Sequence, residues 1–553
     1  MIRKLDKNKL VEVFICLLIT LVGFYSYFNS SIGVFKDQDL TFHLNRFVGL
    51  AKAFEEGQIL PKIYPYTNNG FGYASPLFYC DLFLYPFGIL NHFGVPIVYC
   101  YKLCVLFYSF LGNLFVYFIL KKETKRIDLS LLGVVLYFGN SYHLYNLFIR
   151  NALGEILAIT FIPLVIYAIY RVLIKKEDCF IFLGVSFSLL VMAHLITSLL
   201  YGIFFFCMII VFVVCKYKDK KLLIKTFKTI LKGTILALLL TCWYLVPMFE
   251  QLSSQTFYLN INAKYNNIAA GTFSLGQVFS LLFNSSYPSL GGLFVAMGLS
   301  GLFIKNKYIK IISAYCALLL LIVLGILPGN YLNIIQFYFR LYVVVFPLFI
   351  IVLVYLLDSL TNKKGYYFFF VCLIIYCLFN VLLGNSAAIK DAEAYLNNKA
   401  SDSDINNVYS DNLDYNHDEL GGAEYLPYSE YVDYDNDSLA IKYLDDNEGL
   451  VDYIYDYDRN FSEIVFYCEN DSDLKLLLPL SWYKGYSGYE LVDGEYKKID
   501  LSYSEKYKEV LINSSNGKHT YKVKYTGTFL QYFSLGVSFI SLTCVLVHKR
   551  RKS

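Results

Sequence analysis

Long apolar runs separated by short polar segments dominate the sequence. A bilayer core about 30 Å thick requires roughly 20 apolar residues in each helix that crosses it. About twelve segments of the chain meet that standard, at approximate positions 11–28, 96–120, 128–145, 154–174, 179–195, 198–215, 228–249, 289–305, 309–327, 341–358, 366–384 and 527–547. The pattern therefore predicts an α-helical polytopic membrane protein with about twelve transmembrane helices.

Clusters of Lys and Arg between these segments indicate the orientation, because loops rich in these residues tend to stay in the cytoplasm. The clusters fall on one side only if the apolar stretch 76–90 does not cross the bilayer. This stretch is short and contains Asp81 and Pro86, so we expect a re-entrant or interfacial helix on the outer face. Both termini are then cytoplasmic, and residues 29–94 form a long first extracellular loop.

The composition supports a membrane protein and also reveals a soluble part. Apolar residues make up 57% of the chain and charged residues 17%, with a mean hydropathy of +0.48. Residues 385–526 differ, because they hold 29 of the 44 acidic residues and only 13 Lys and Arg, a formal charge of −16. Once the cations that flank the apolar segments are set aside, no basic face is left for a nucleic acid.

These patterns divide the chain into three parts. Residues 1–384 form the main transmembrane domain. Residues 385–526 are rich in Tyr and Asp and contain alternating polar and apolar stretches, which predict a β-rich extracellular domain. Residues 527–553 form the last transmembrane helix and a basic cytoplasmic tail.

A concentration of titratable residues follows the first apolar segment. If Asp39 starts a helix, His43 and Arg46 follow at i+4 and i+7 and lie on the same face. We expect them to face one solvent pocket, where a carboxylate takes a proton from an attacking hydroxyl and Arg binds a phosphate. The alternative is an N-capping Asp on a surface amphipathic helix. Asp37 and Asp39 are also a candidate Mg²⁺ or Mn²⁺ site, because hard cations prefer carboxylate oxygens.

Two further sets of polar and charged residues lie on the expected outer side, where cations are rare. Arg150 and Glu155 open the fourth apolar segment, and Gln336 and Arg340 precede the tenth. A helix-anchoring Arg and an ordinary interfacial belt of aromatic residues are the alternatives to a binding role. Ionisable groups at membrane depth are costly, so we expect these residues to contribute to a site.

Several of these stretches resemble the YfhO-type bacterial membrane proteins of the GT-C glycosyltransferase superfamily. The resemblance covers most of residues 1–384 and is carried by the stretches 39–46, 64–79, 150–155 and 336–340. Some proteins with this first loop carry the label 6-pyruvoyl-tetrahydropterin synthase-related. The compact zinc-binding histidine set of that enzyme is not recognisable in this sequence, so we set its activity aside.

The resemblance implies an inverting glycosyltransferase in the bacterial plasma membrane. Such an enzyme transfers a sugar from a polyprenyl-phosphate carrier to an envelope polysaccharide, a teichoic acid or a glycolipid on the extracellular side. Asp39 matches the catalytic acid of the family's first loop, and Asp37 matches a supporting acid or metal ligand. Arg46, Arg150 and Arg340 match phosphate contacts, although the family's frequent Pro-Trp pair before the last Arg is Tyr-Phe in this chain.

Two other functions compete with sugar transfer. A transporter of a lipid-linked or envelope precursor would place ionisable groups near the bilayer midplane, in helices broken by Gly or Pro. The charges in this sequence instead gather at one interface. A non-catalytic scaffold for envelope assembly would use the acidic domain as its binding surface.

Overall fold

The computed structural model describes residues 7–28, 39–265, 272–327, 335–398, 423–432, 437–445 and 449–552. The chain divides into two compact units. The first contains Met1–Leu40, Tyr101–Leu238 and Asn267–Val408, and the second contains Thr41–Cys100, Leu239–Asn266 and Tyr409–Ser553.

A helix occupies each of the apolar segments identified in the sequence. In chain order the α-helices are α1 (Lys7–Gly23), α2 (Leu40–Glu55), α3 (Ser75–Phe78), α4 (Tyr85–His92), α5 (Ile97–Thr124), α6 (Ile127–Phe138), α7 (Ser141–Tyr145), α8 (Leu153–Leu173), α9 (Phe180–Ala193), α10 (Leu195–Lys216), α11 (Lys220–Leu252), α12 (Tyr258–Tyr265), α13 (Leu275–Val278), α14 (Gly292–Ser300), α15 (Lys307–Val323), α16 (Tyr342–Ser359), α17 (Lys363–Asn398) and α18 (Phe529–Lys552). Short 3₁₀ turns lie at Tyr25–Phe28, Gly301–Phe303 and Tyr338–Leu341, and a π turn lies at Asn146–Arg150.

Seven helices in the described ranges are long and apolar enough to cross a membrane, namely α5, α8, α10, α11, α16 with its preceding turn, the part of α17 up to Lys390, and α18. The apolar helices α6, α9 and α14 are shorter. The protein is therefore a polytopic membrane protein, as the hydrophobic pattern predicts. The figure of about twelve spans stays a prediction.

The stretch 76–90 forms two short helices, α3 and α4. Each has a Pro within its first two positions, where the missing N–H of Pro costs no helical hydrogen bond. At 1.5 Å per residue, the eight residues of α4 extend about 12 Å, far less than the thickness of a bilayer core. Asp81 lies between the two helices and is buried.

Helices α8 and α16 are the most buried of the long apolar helices in the first unit. α8 packs against α9, α10 and α16. Because both helices are apolar on nearly every face, the polar residues near their N-termini lie at the edge of a densely packed core. This arrangement positions Glu155 and Arg340.

The C-terminal part of the second unit is β-rich, as the alternating pattern predicts. Its strands are β1 (Ile441–Leu444), β2 (Leu450–Ile454), β3 (Asp458–Arg459), β4 (Glu463–Asn470), β5 (Leu474–Ser481), β6 (Tyr486–Val492), β7 (Glu495–Ile499), β8 (Ser502–Tyr503), β9 (Glu509–Ser514) and β10 (Gly517–Tyr525). They form two antiparallel sheets, ordered β2-β1-β5-β9-β8 and β3-β4-β10-β6-β7. Apolar residues from both sheets share one core that includes Phe466, Leu478 and Val523.

The helical part of the chain extends further than the expected boundary at residue 385. Helix α17 continues to Asn398, and the first strand among the described residues begins at Ile441. Asn385 is fully buried, and its side chain accepts a hydrogen bond from the Ser26 backbone at 3.0 Å and donates to the carbonyl of Gly23 at 2.8 Å. Residue 385 is therefore part of the packed helical unit.

Candidate functional site

A buried carboxylate joins two arginines in the first unit. Glu155 lies in the first turn of α8, and its side chain is 2% exposed. Its Oε1 accepts hydrogen bonds from Arg150 Nη1 at 3.0 Å and from Arg340 Nε at 2.9 Å. The arginines come from segments 190 positions apart, so the tertiary fold brings together three of the residues that the sequence analysis identified.

The backbone around Arg150 departs from a regular α-helix. Asn146–Arg150 forms a π turn, and Asn151 ends it in the left-handed region with φ of 50°. Asn tolerates this conformation better than most residues. Within the turn, Asn146 Oδ1 accepts a hydrogen bond from Arg150 Nη1 at 3.1 Å, and the Asn146 amide donates to Glu155 Oε2 at 3.4 Å. The π turn thereby directs Asn146 and Arg150 to the same carboxylate, and such turns are frequent at functional sites.

The backbone before Arg340 is also unusual. Gln336 has φ of 63°, which a residue with a side chain rarely adopts. Its Oε1 accepts a hydrogen bond from Arg340 Nη1, and the carbonyl of Ile335 accepts another from the same nitrogen at 3.1 Å. Strained backbone of this kind persists where surrounding contacts hold it in place, often at functional sites.

Aromatic rings line the two guanidinium groups. The rings of Phe337 and Phe339 stack with centroids 5.1 Å apart and an interplanar angle of 12°. Arg150 lies 5.2 Å from the centroid of Phe339, and Arg340 lies 5.3 Å from that of Phe337. These cation–π contacts stabilise buried cations. On the other side of the carboxylate, the Tyr142 hydroxyl donates a hydrogen bond to Glu155 Oε2.

Asp39 is the most accessible carboxylate of this cluster. It immediately precedes α2, its side chain is 40% exposed, and its Oδ2 lies 3.5 Å from Arg150 Nη2. Burial by itself lowers the pKa of Arg150, but Glu155, Tyr142 and Asp39 outweigh burial and leave the pKa above its ordinary value. The cluster therefore places an accessible potential base beside a buried permanent cation.

His194 belongs to the same electrostatic environment. It caps the N-terminus of α10, where its side chain accepts a hydrogen bond from the Thr197 backbone. Burial lowers the pKa of His194 to about 3, against the opposing attraction of Glu155. The imidazole is therefore neutral near pH 7.

His43 and Arg46 lie in the second unit, and the expectation that they face a solvent pocket is wrong. Both side chains are buried, at 3% and 1% exposure. Arg46 pairs with Asp81, with Nη2 2.6 Å and Nε 2.7 Å from Oδ1, and also contacts the carbonyl of Cys80 and the ring of His43. The predicted helical face exists, but it packs inward against Asp81 and Tyr79. Arg46 therefore forms a buried ion pair within this unit.

The metal prediction is not tested by this arrangement. Asp37 lies outside the described residues, whereas Asp39 lies within them. Across the described ranges, no group of three or more His, Cys, Asp and Glu side chains has an arrangement that could hold a metal ion.

Sequence reasoning missed Tyr142 and Asn146, which complete the hydrogen bonding of Glu155. The position of Asn146, four residues before Arg150, was a usable signal because such pairs meet on one helical face. Nothing local indicates Tyr142 among the many tyrosines of the chain.

Part of the chain is similar to a known family of membrane proteins. A family model described as the 6-pyruvoyl-tetrahydropterin synthase related domain, a membrane protein, matches residues 77–328. The matched region includes Arg150 and Glu155 but neither Asp39 nor Arg340. No curated protein matches the chain significantly. The match supports the membrane-protein character of the chain and agrees with its apolar helices. The YfhO-type and GT-C assignment stays a prediction.

Proposed function

We propose that the protein is an inverting glycosyltransferase of the GT-C type, which transfers a sugar from a polyprenyl-phosphate carrier to an envelope polysaccharide, teichoic acid or glycolipid. The observation that carries the proposal is the accessible carboxylate of Asp39, 3.5 Å from Arg150, which in turn shares Glu155 with Arg340. An accessible base beside one buried cation, which shares a carboxylate with a second, suits a reaction in which a hydroxyl loses a proton and a phosphate leaves.

The arginines retain donors for a phosphate. A guanidinium has five N–H donors. Among the described residues, Arg340 Nη2 and Arg150 Nε donate no hydrogen bond, whereas the other nitrogens contact Glu155, Asn146, Gln336, Ile335 or Asp39. The planar fork of Arg matches two phosphate oxygens and stays charged in a partly apolar site.

The chemical step follows from these roles. Asp39 takes the proton of the acceptor hydroxyl, whose oxygen attacks the anomeric carbon on the face opposite the carrier phosphate. The new C–O bond forms as the bond to the phosphate oxygen breaks, and the phosphate leaves with the electron pair. Arg150 and Arg340 stabilise the negative charge that develops on it. Glu155 is a positioning residue, because it holds both guanidinium groups and is too buried to meet the acceptor.

The orientation is part of the proposal. With both termini in the cytoplasm, Asp39 and the β-rich region lie outside the cell, where polyprenyl-linked sugars meet envelope acceptors. The dense packing of α8 and α16 around the cluster favours a fixed site over the rocking helices of a transporter.

Replacing Asp39 with Asn tests the base directly. The change conserves shape but removes proton acceptance, so we expect transfer to fall by about 10²- to 10⁴-fold. Purified protein in lipid nanodiscs would be supplied with a polyprenyl-phosphate sugar and an envelope extract, and product would be followed by mass spectrometry. Asp493→Asn, at a side chain 92% exposed, is the matched control. Full activity in folded Asp39→Asn would refute the assignment of Asp39.

A further inference from the structure

The outer face of the sheet β3-β4-β10-β6-β7 carries a row of accessible aromatic and apolar side chains. Strand register aligns Tyr467 of β4 with Thr520 of β10, and Leu491 of β6 with Tyr496 of β7. The pairing of Tyr521 with Glu490 brings Thr520 opposite Leu491. Tyr467 is 51% exposed, and Leu491 and Tyr496 are each 39% exposed. The row crosses four strands, about 14 Å at the usual strand spacing.

The adjacent row of side chains on the same face contains lysines. Lys522 pairs with Tyr489, which pairs with Lys498, one step along the same face. The ammonium of Lys522 lies 3.7 Å from the centroid of Tyr496, and that of Lys524 lies 5.2 Å from the centroid of Tyr489. The aromatic row and the cationic row are therefore in direct contact.

The charges of this face differ from those of the surrounding region. Residues 385–526 have a formal charge of −16. Glu463, Glu469 and Asp458 share the face with Lys518, Lys522, Lys524 and Lys498. Glu463 lies 3.9 Å from Lys522 and Glu469 lies 3.4 Å from Lys518, which offsets their charge. Within the described ranges, Lys498 and Lys524 form no ion pair. Cations that are scarce in this region thus gather beside exposed tyrosines.

We propose that these two rows form a binding strip for an anionic sugar polymer. The C–H faces of sugar rings pack on the electron-rich faces of Tyr, and the lysines bind sulfate, phosphate or carboxylate groups along the polymer. The length of the strip suits several sugar rings in an extended chain. A narrow polymer follows one row of a sheet, whereas a flat anionic bilayer would also meet the acidic remainder of the region and be repelled.

Binding at this strip is separate from sugar transfer, so its test contains no sugar donor. Full-length protein in nanodiscs of zwitterionic lipid would be titrated with dextran sulfate and with dextran of equal length. We expect dextran sulfate to bind, more weakly as salt rises, and dextran to bind at least about tenfold less, since hydrogen bonds to charged groups carry most of the affinity.

Substitutions locate the site. We expect the double change Tyr467→Ala with Tyr496→Ala, and separately Lys522→Gln with Lys524→Gln, to weaken dextran sulfate binding by about tenfold each. Tyr455→Ala and Lys475→Gln are matched controls at exposed positions on the other sheet or beside it, and they should leave affinity unchanged. Lys498→Gln, on the exposed strand β7, is a single substitution that measures the contribution of the lysines to dextran sulfate binding if a double variant unfolds.

Three results would overturn the proposal. Equal binding of dextran and dextran sulfate would remove the role of charge. Unchanged affinity in all folded strip variants would place the binding elsewhere. Capture of anionic vesicles that depends on these residues, without dextran sulfate binding, would identify a lipid surface as the partner.

Discussion

Glu155→Gln is the most direct perturbation of the arginine cluster. The carboxylate accepts hydrogen bonds from two guanidinium groups and from Tyr142, all of them buried. Gln retains the size of the side chain and one carbonyl oxygen, but it removes the negative charge. Arg150 and Arg340 would then remain as neighbouring cations without their shared counter-ion.

The geometry sets the size of the effect. Arg150 Nη1 and Arg340 Nε lie 3.0 and 2.9 Å from the same oxygen, so they are at most 5.9 Å apart. At an effective dielectric constant of about 20, two unit charges at that distance repel by about 3 kcal/mol. Removing one partner of a buried ion pair typically costs about 3–5 kcal/mol. We therefore expect the free energy of unfolding to fall by about 3–5 kcal/mol.

Thermal unfolding in detergent micelles, followed by intrinsic fluorescence, measures this loss. Glu177→Gln is the control, because Glu177 pairs with Arg171 at 2.6 Å on an exposed surface, where a pair contributes at most about 1 kcal/mol. Sulfate or phosphate should raise the melting temperature of Glu155→Gln more than that of the parent, since an anion that binds between the two arginines stabilises the folded state.

An unchanged melting temperature in Glu155→Gln would show that the carboxylate does not hold the two cations together. A large loss without any anion rescue would keep the structural role of Glu155 but contradict an anion site between Arg150 and Arg340.

Three other predictions concern the arginines, pH and orientation. Arg150→Lys and Arg340→Lys should weaken the apparent affinity for the carrier because Lys lacks the planar fork, and the matching Gln variants should weaken it further. Transfer from purified polyprenyl-phosphate sugars measures both affinity and turnover. Parental values in all four variants would make these arginines structural anchors. In the unfolded chain His194 is protonated below pH 6.5, whereas in the folded protein it is protonated only near pH 3. The free energy of unfolding therefore falls as pH falls between these values. Melting curves recorded across this range should show that His194→Asn reduces the slope of this free energy against pH by up to about 1.4 kcal/mol per pH unit. An impermeant thiol reagent should label Ser472→Cys in intact cells but not Lys218→Cys, and the reverse pattern would invert the proposed topology.

The helices were predictable because their signal is local. A run of about 20 apolar residues has few alternatives to a helix in a bilayer, and each such run contains a helix in the structure. The exact ends of the helices were harder to predict. In α17, helix formers such as Ala387 and Ala388 extend the helix beyond its apolar run.

The site was predictable only in part. Arg150, Glu155 and Arg340 stood out because charged residues are costly near a membrane. The convergence of Arg150 and Arg340 on the Glu155 carboxylate depends on how α8 packs against the segment before α16, and no local sequence pattern encodes that packing. The burial of Arg46 was not predictable, because its partner Asp81 lies 35 residues away and a pairing at that distance leaves no periodic signal in the sequence.

The position of β10 in its sheet determines when that sheet can be completed during synthesis. β10 is the last of the described strands along the chain, yet it lies at the centre of its sheet between β4 and β6. Until residue 525 has been made, β4 and β6 have no common neighbour, and the edges that will bond to β10 stay open to other chains. Only three residues separate β10 from α18. A chain that terminates before β10 would therefore lose the centre of the sheet together with α18, whereas the six candidate membrane helices that precede β10 in the described ranges would remain.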